Sequence, residues 1–239
     1  ELTGLNYGAE NTLTVIADNS KLPNSRWYSG SGIYRPVWLH IGGEQRIEYQ
    51  GVKITTLSID PAKIKVEAKA SGDVSVEILD GETVIATGSG AACEIQIPNA
   101  KLWSDETPNL YIARVTVGED VVEEKFGIRI IEWSPKGLFI NGKKTLLRGG
   151  CVHHDNGIIG AATYDESEWR RVRILKEAGF NAIRSAHNPT SRAMLEACDH
   201  YGMYMMDESF DMWFNRKTKF DYGLDFEEHW AEDTAKMVQ

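Results

Sequence analysis

The hydrophobic period of the chain changes once, close to Trp133. Before that point apolar and polar residues alternate, which is the two-residue period of a half-buried strand. Ile64-Lys65-Val66-Glu67-Ala68 and Val74-Ser75-Val76-Glu77-Ile78 alternate strictly. After it, short apolar runs are each followed by a segment with helical spacing. No single layer type satisfies both patterns, so a β region must precede an α/β region. The 239 residues have room for one large or two medium domains.

Residues 46–132 predict about seven short strands. They begin with Val52, Ile54 and Leu57–Ile59, pass through the two alternating runs, and continue as Thr83–Ala86, Cys93–Ile97, Tyr111–Val117 and Val121–Ile131. Turn signals such as Asp80-Gly81 and Gly118-Glu119-Asp120 separate them. That spacing predicts an immunoglobulin-like β-sandwich in architecture, without the Cys…Trp…Cys mark of antibody domains. Residues 1–45 read as strands and turns, with Leu13–Ala17 and Val37–Ile41 as β runs around a turn-rich Asp18–Gly32. Two or three strands cannot bury a core alone, so this segment needs a partner sheet. The start, Glu1-Leu2-Thr3-Gly4, lacks an initiator Met and reads as a turn at a cut or processed boundary. A missing signal peptide therefore leaves the compartment open, cytoplasm or periplasm.

Residues 133–239 predict a hairpin over Gly137–Leu147, turning through Asn141-Gly142 in a type I′ turn. Three β-then-α units follow. The strands are Leu146–Gly150, Ala182–Ala186 and Tyr204–Met206; the helices are Asp165–Gly179, Thr190–Tyr201 (ended by Gly202) and Phe226–Val238. Asp165 with Glu168 predicts a capping box, Gly179 a C-terminal cap, and Trp169, Val172 and Leu175 the inner face. Such alternation implies a parallel sheet, and here the first part of a (β/α)8 barrel. Three units alone would leave two open edges.

In such barrels the reactive groups follow the C-terminal ends of strands. All three ends are polar here: Cys151-Val152-His153-His154-Asp155, Arg184-Ser185-Ala186-His187-Asn188-Pro189 and Asp207-Glu208-Ser209-Phe210-Asp211-Met212-Trp213. An arginine keeps its proton and can orient a carboxylate; histidines can donate to hydroxyls; carboxylates can accept from them. His154 reads equally well as a solvated neighbour of His153. Asp207 reads equally as a partner for Arg184 or as a substrate contact, and Trp213 as wall or contact. Because adjacent strand residues face opposite ways, Asp207 and Glu208 are not both expected in one site.

Composition narrows the function classes. A formal charge of -9 disfavours nucleic acid as a partner. The three cysteines are far apart, which fits neither a disulfide framework nor a zinc site. No apolar run approaches the roughly 20 residues of a membrane helix. Seven Trp and nine Tyr supply faces on which sugars stack, although such rings more often fill cores.

Arg148–Asp155, Phe180–Pro189 and Met206–Trp213 closely resemble three successive barrel motifs of glycoside hydrolase family 2, nearest to its bacterial β-galactosidase-like members. Asn24–Arg35 resembles the end of that family's N-terminal sugar-binding jelly roll, and Leu102–Tyr111 a segment of its middle sandwich. The resemblance covers essentially the whole chain. It implies a jelly-roll end at 1–45, an immunoglobulin-like sandwich at 46–132 and the N-terminal part of a TIM barrel at 133–239. It also implies a retaining exo-β-glycosidase, in which one glutamate is the acid/base and a second the nucleophile. In relatives the acid/base sits in an Asn-Glu pair after strand four. The 239 residues contain no such pair, so neither catalytic glutamate is expected before Gln239, and the piece alone is expected to be inactive.

By the same match, His153, His154, Arg184, His187, Asp207, Glu208, Trp213 and Arg26 are expected to bind substrate, with the loop from Arg26 to Tyr28 reaching the sugar pocket. Some relatives hold magnesium through a Glu and a His just past the strand-three pair. Asp211, Met212, Trp213 and Phe214 stand there instead, which counts against a magnesium site, and no cofactor is expected. The expected partner is a β-linked carbohydrate, most simply a β-galactoside; a homo-oligomeric parent stays open. β-Glucuronidase or β-mannosidase relatives share the scaffold, and a non-catalytic carbohydrate-binding module is the reading from a different class.

Overall fold

The computed structural model describes residues 4–27 and 30–238. Seven antiparallel strands make up the first region. Strands β1 (Ile47–Ile59), β2 (Ala62–Ala70) and β5 (Ala92–Gln96) form one sheet in the order β1-β2-β5. Strands β3 (Val74–Asp80), β4 (Thr83–Ser89), β6 (Tyr111–Val117) and β7 (Asp120–Phe126) form the other, in the order β4-β3-β6-β7. The alternation read from the sequence is what closes the core. Ile64 and Val66 from β2, Val76 and Ile78 from β3, and Ala113 and Val115 from β6 lie within it, essentially without solvent contact. Each buried Val or Ile contributes roughly 1.5–3 kcal/mol. The expected Val121–Ile131 run breaks at Gly127, where a Cβ would stand 2.6 Å from the Trp103 side chain. The chain bends around Trp103 and resumes as β8 (Ile131–Ser134).

Strand β8 pairs with β9 (Gly137–Ile140), which pairs with β10 (Lys143–Thr145). Asn141 and Gly142 both take positive φ, 51° and 75°, as the type I′ turn requires. The parallel sheet follows: β11 (Gly149–Val152), β12 (Ala182–Ser185) and β13 (Tyr204–Met206), with β12 central. The first strand thus starts later than the Leu146–Gly150 expected. Helices α1 (Asp165–Glu177) and α2 (Arg192–Tyr201) cover one face of this sheet, packing Val172, Ile183, Met194, Ala197 and Cys198 together. Ser191 caps α2 through the Met194 N–H, and Gly202 ends it in the left-handed conformation. Helix α3 spans Phe226–Met237. The capping box expected on α1 does not form: Tyr164 is the cap residue, and Glu168 turns inward to accept from Arg171 and Asn156.

The strands expected at Leu13–Ala17 and Val37–Ile41 are absent among the described residues. Leu13, Val15, Ile16, Val37, Trp38, Leu39 and Ile41 are all exposed. A lone extended segment has no ladder and no covering sheet, so nothing repays its ordering entropy. The middle of this segment does fold onto the α/β region: Phe220 donates its N–H to Pro23 O, and Thr163 to Tyr34 O.

The sandwich docks at the N-terminal ends of the parallel strands. Buried Trp103 donates its indole N–H to Asp199 O at 2.8 Å. Asp105 accepts from Asn181 Nδ2 at 2.9 Å and from the Tyr204 hydroxyl at 3.0 Å, and its carbonyl accepts from Lys176. Gly202 approaches so closely that a Cβ would lie 2.5 Å from Asp105 O.

Candidate active site

Register decides which side chains meet. Cys151, Arg184 and Met206 are aligned across the three strands and point away from the helices. Ile183 and Ser185, one residue to either side of Arg184, point toward them. The alternation continues into the loop after β13. Asp207 lies on the helix side, where its Oδ1 accepts from Ser185 Oγ at 2.6 Å and Thr190 N at 3.0 Å. Glu208 lies on the open side. Arg184 Nε donates to its Oε1, and His187 Nδ1 meets its Oε2 at 2.8 Å. The two carboxylates therefore have separate roles, as the alternation predicts. The partner of Arg184 is Glu208; of the two readings open for Asp207, the one that pairs it with Arg184 is corrected, because Asp207 faces the other way.

The hydrogen bond from Arg184 to Glu208, with the attraction between their charges, raises the guanidinium pKa further above its ordinary range. With an ionised Glu208 accepting, the proton of this contact sits on His187 Nδ1. Arg184 also donates weakly to Cys151 Sγ at 3.7 Å.

The imidazoles of His153 and His187 stand 5.4 Å apart, edge to face. The ring of Trp27 completes the corner, 5.6 Å from His153 and 5.0 Å from His187. His153 is held from behind, its carbonyl accepting from Arg171. His154 points elsewhere: its ring packs on Tyr34 at 5.3 Å. Burial lowers its pKa, with Arg35 adding to the effect. Arg26 does not reach toward the histidines. Its guanidinium grips Asp211, Nε to Oδ2 at 3.2 Å and Nη2 to Oδ1 at 2.7 Å. Trp213 is exposed and makes no ring contact with the histidine corner among the described residues. Tyr28, at the end of the expected sugar loop, and Glu1 to Thr3 of the expected initial turn lie outside the described residues.

A cleft of about 530 Å³ opens beside this corner, lined among others by Trp27, His187, Asn188, Phe210, Asp211 and Tyr222. Its wall offers aromatic faces and hydrogen-bonding edges together, which suits a sugar ring with one apolar and several hydroxylated sides. Among the described residues no group of three or more His, Cys, Asp or Glu side chains converges as a metal site would require. Nor is any helix there long and apolar enough to cross a membrane.

The Arg26–Asp211 pair was missed in the sequence. The residues are 185 positions apart, and no local pattern links them. The contact of Trp27 was accessible only as part of a loop resemblance.

Two models of one family match the chain: "Glycosyl hydrolases family 2" over residues 46–129, and "Glycosyl hydrolases family 2, TIM barrel domain" over 131–236. A β-galactosidase of Bacteroides ovatus, BoGH2A, is 36% identical over 98% of this chain and 31% of its own length. A Formosa agariphila protein named as a β-glucuronidase is 34% identical over 96% of this chain and 24% of its own. Among solved structures, a glycosyl hydrolase family 2 member from Bacteroides cellulosilyticus superposes with a TM-score of 0.85 at 35% identity. It covers 90% of this chain, which covers 31% of it. The chain thus spans a third or less of the length of these relatives.

Proposed function

The chain belongs to glycosyl hydrolase family 2, and we propose that it supplies one sugar-facing wall of a retaining exo-β-glycosidase acting on β-galactosides. The domain reading that goes with this is the end of a jelly roll at 1–45, an immunoglobulin-like sandwich at 46–132 and the first part of the catalytic barrel at 133–239. The observation that carries the proposal is the corner of Trp27, His153 and His187 beside the Arg184–Glu208 pair, at the C-terminal ends of parallel strands.

In this reading His153 and His187 orient sugar hydroxyls and Arg184 fixes Glu208. Glu208 is a positioning group, because both of its oxygens are already engaged. Asp207 braces the loop that carries His187. The acid/base and nucleophile roles fall to none of these. Retention needs two carboxyls about 5 Å apart across the glycosidic bond. Asp207 faces the helices, and Asp211 is held by Arg26 and Lys217.

The β-galactosidase name of the Bacteroides ovatus relative supports the choice of a galactoside.

The test is a titration of the isotope-labelled chain with isopropyl β-thiogalactoside and, separately, methyl β-glucuronide, followed by NMR. Binding in the millimolar range, about -4 kcal/mol, is expected for the galactoside, with shifts at Trp27 and His187. Silence with both sugars would overturn the proposal, and tighter binding of the glucuronide would overturn the choice of sugar. The purified chain is expected to release no chromophore from a nitrophenyl β-galactoside.

A further inference from the structure

Asp211 is a nearly buried carboxylate: its side chain is 3% exposed, while that of Arg26, its partner, is 48% exposed. A carboxylate so placed is tolerated only when its charge is met. Two cations meet it. Arg26 binds both oxygens, and Lys217 Nζ lies 2.8 Å from Oδ1. Lys217 is itself fixed in place. The buried Asp221 carboxylate accepts from the N–H groups of Lys217, Thr218 and Gly223 and so organises the turn that presents the lysine. Arg26 is the variable member, since it comes from an N-terminal segment without regular structure. The residue after it is Trp27, whose ring lies against His153 and His187.

We infer that the Arg26–Asp211 pair is a clamp that seats Trp27 in the sugar site, making Asp211 a positioning residue and Trp27 a specificity-determining one. The inference rests on the glycosidase reading above for its ligand, a hexopyranose whose apolar C–H face packs on an aromatic ring. The clamp itself rests on the geometry alone. A bidentate guanidinium–carboxylate pair fixes direction as well as distance, so it sets the angle at which the next residue enters the cleft. Without it, Trp27 is carried only by the backbone hydrogen bonds at Pro23 and Tyr34 and the contacts of Ser25 and Arg35 around it, in a segment whose apolar residues at 13–16 and 37–41 are exposed.

The test compares Asp211→Asn, Asp211→Glu and Trp27→Ala with the unaltered chain. The first readout needs no sugar: nuclear Overhauser contacts between the Trp27 indole and the His187 ring. They should weaken in Asp211→Asn, return in part in Asp211→Glu, and leave the sandwich methyl spectrum unchanged. The second is affinity for isopropyl β-thiogalactoside. If the seated population falls to about one-fifth, the dissociation constant rises about fivefold. Trp27→Ala should weaken it at least as much. Undiminished Trp27–His187 contacts in a folded Asp211→Asn chain would overturn the clamp, whether or not sugar binds. Equal sugar affinity in the unaltered and Trp27→Ala chains would overturn the role of Trp27. A chain that binds no sugar at all refutes the glycosidase reading and the role of Trp27 with it, and the first readout still decides the clamp.

Discussion

Replacing Asp105 with alanine removes the acceptor on which the sandwich and the parallel sheet converge. Two donors lose their partner: the Tyr204 hydroxyl at 3.0 Å and Asn181 Nδ2 at 2.9 Å. Asn181 keeps a second acceptor, Leu146 O, so its loss is partial. Tyr204 has no comparable substitute among the described residues. A hydrogen bond to a charged group is worth roughly 1.5–3 kcal/mol, and both sites are partly shielded from water, so the change should cost about 2–4 kcal/mol. For a chain of this size that corresponds to a drop in Tm of roughly 5–15 °C, read by calorimetry. Asp105→Asn keeps an oxygen for one donor and should cost about 1 kcal/mol.

A second readout separates this cause from general damage. Burial, and then the charge of Asp105, push the Tyr204 phenol up to about 12. The stabilising contribution of the neutral phenol is complete below its unfolded value near 10 and is lost as pH rises through about 12. In Asp105→Ala the contribution of burial remains and that of the charge goes. Tyr204 should therefore titrate earlier than in the unaltered chain, seen as tyrosinate absorbance, yet still later than a free tyrosine. A Tm within about 2 °C of the unaltered chain, or an unchanged alkaline titration, would refute Asp105 as the hub.

Gly202→Ala should destabilise by about 1–3 kcal/mol in denaturant, because the residue sits at φ 74° and its Cβ would press on Asp105 O. Glu208→Ala should leave the fold intact but free the Arg184 side chain, so its Nε–H should exchange with solvent much faster; unchanged protection would contradict the pairing. His154 has a lowered pKa, so the contribution of its neutral ring is complete above about 6.5 and is lost as pH falls through the folded value. His154→Gln should therefore flatten the fall in stability between pH 7 and 5, and a curve parallel to the unaltered chain would count against it.

The parts legible in the sequence are those where local chemistry and tertiary demand agree. Strands β2, β3 and β6 sit where the alternation places them because each has a sheet across the core to receive its apolar side. Gly202 and the Asn141-Gly142 turn were readable because their backbone angles restrict the residue type. The failures have the opposite cause. Leu13–Ala17 carries a strand composition but finds no neighbour to pair with. Glu168 has the spacing of a capping residue, yet Arg171 and Asn156 compete for its carboxylate and win. Within the site, the division between Asp207 and Glu208 follows from strand alternation alone. The Arg26–Asp211 and Trp103–Asp199 contacts join residues far apart in sequence, and no local pattern announces either.

The three parallel strands are only three or four residues long. The Asp105 hub grips one end, at Asn181 and Tyr204, and the histidine corner hangs from the other, at Arg184, His187 and Glu208. Four extended residues span about 13 Å, too little length to absorb a misfit. A slip of one residue would present Ile183 or Ser185 to the open side where Arg184 stands. The sandwich thus works as a spacer gauge for the mouth above it: it sets which residue of each strand faces the open side.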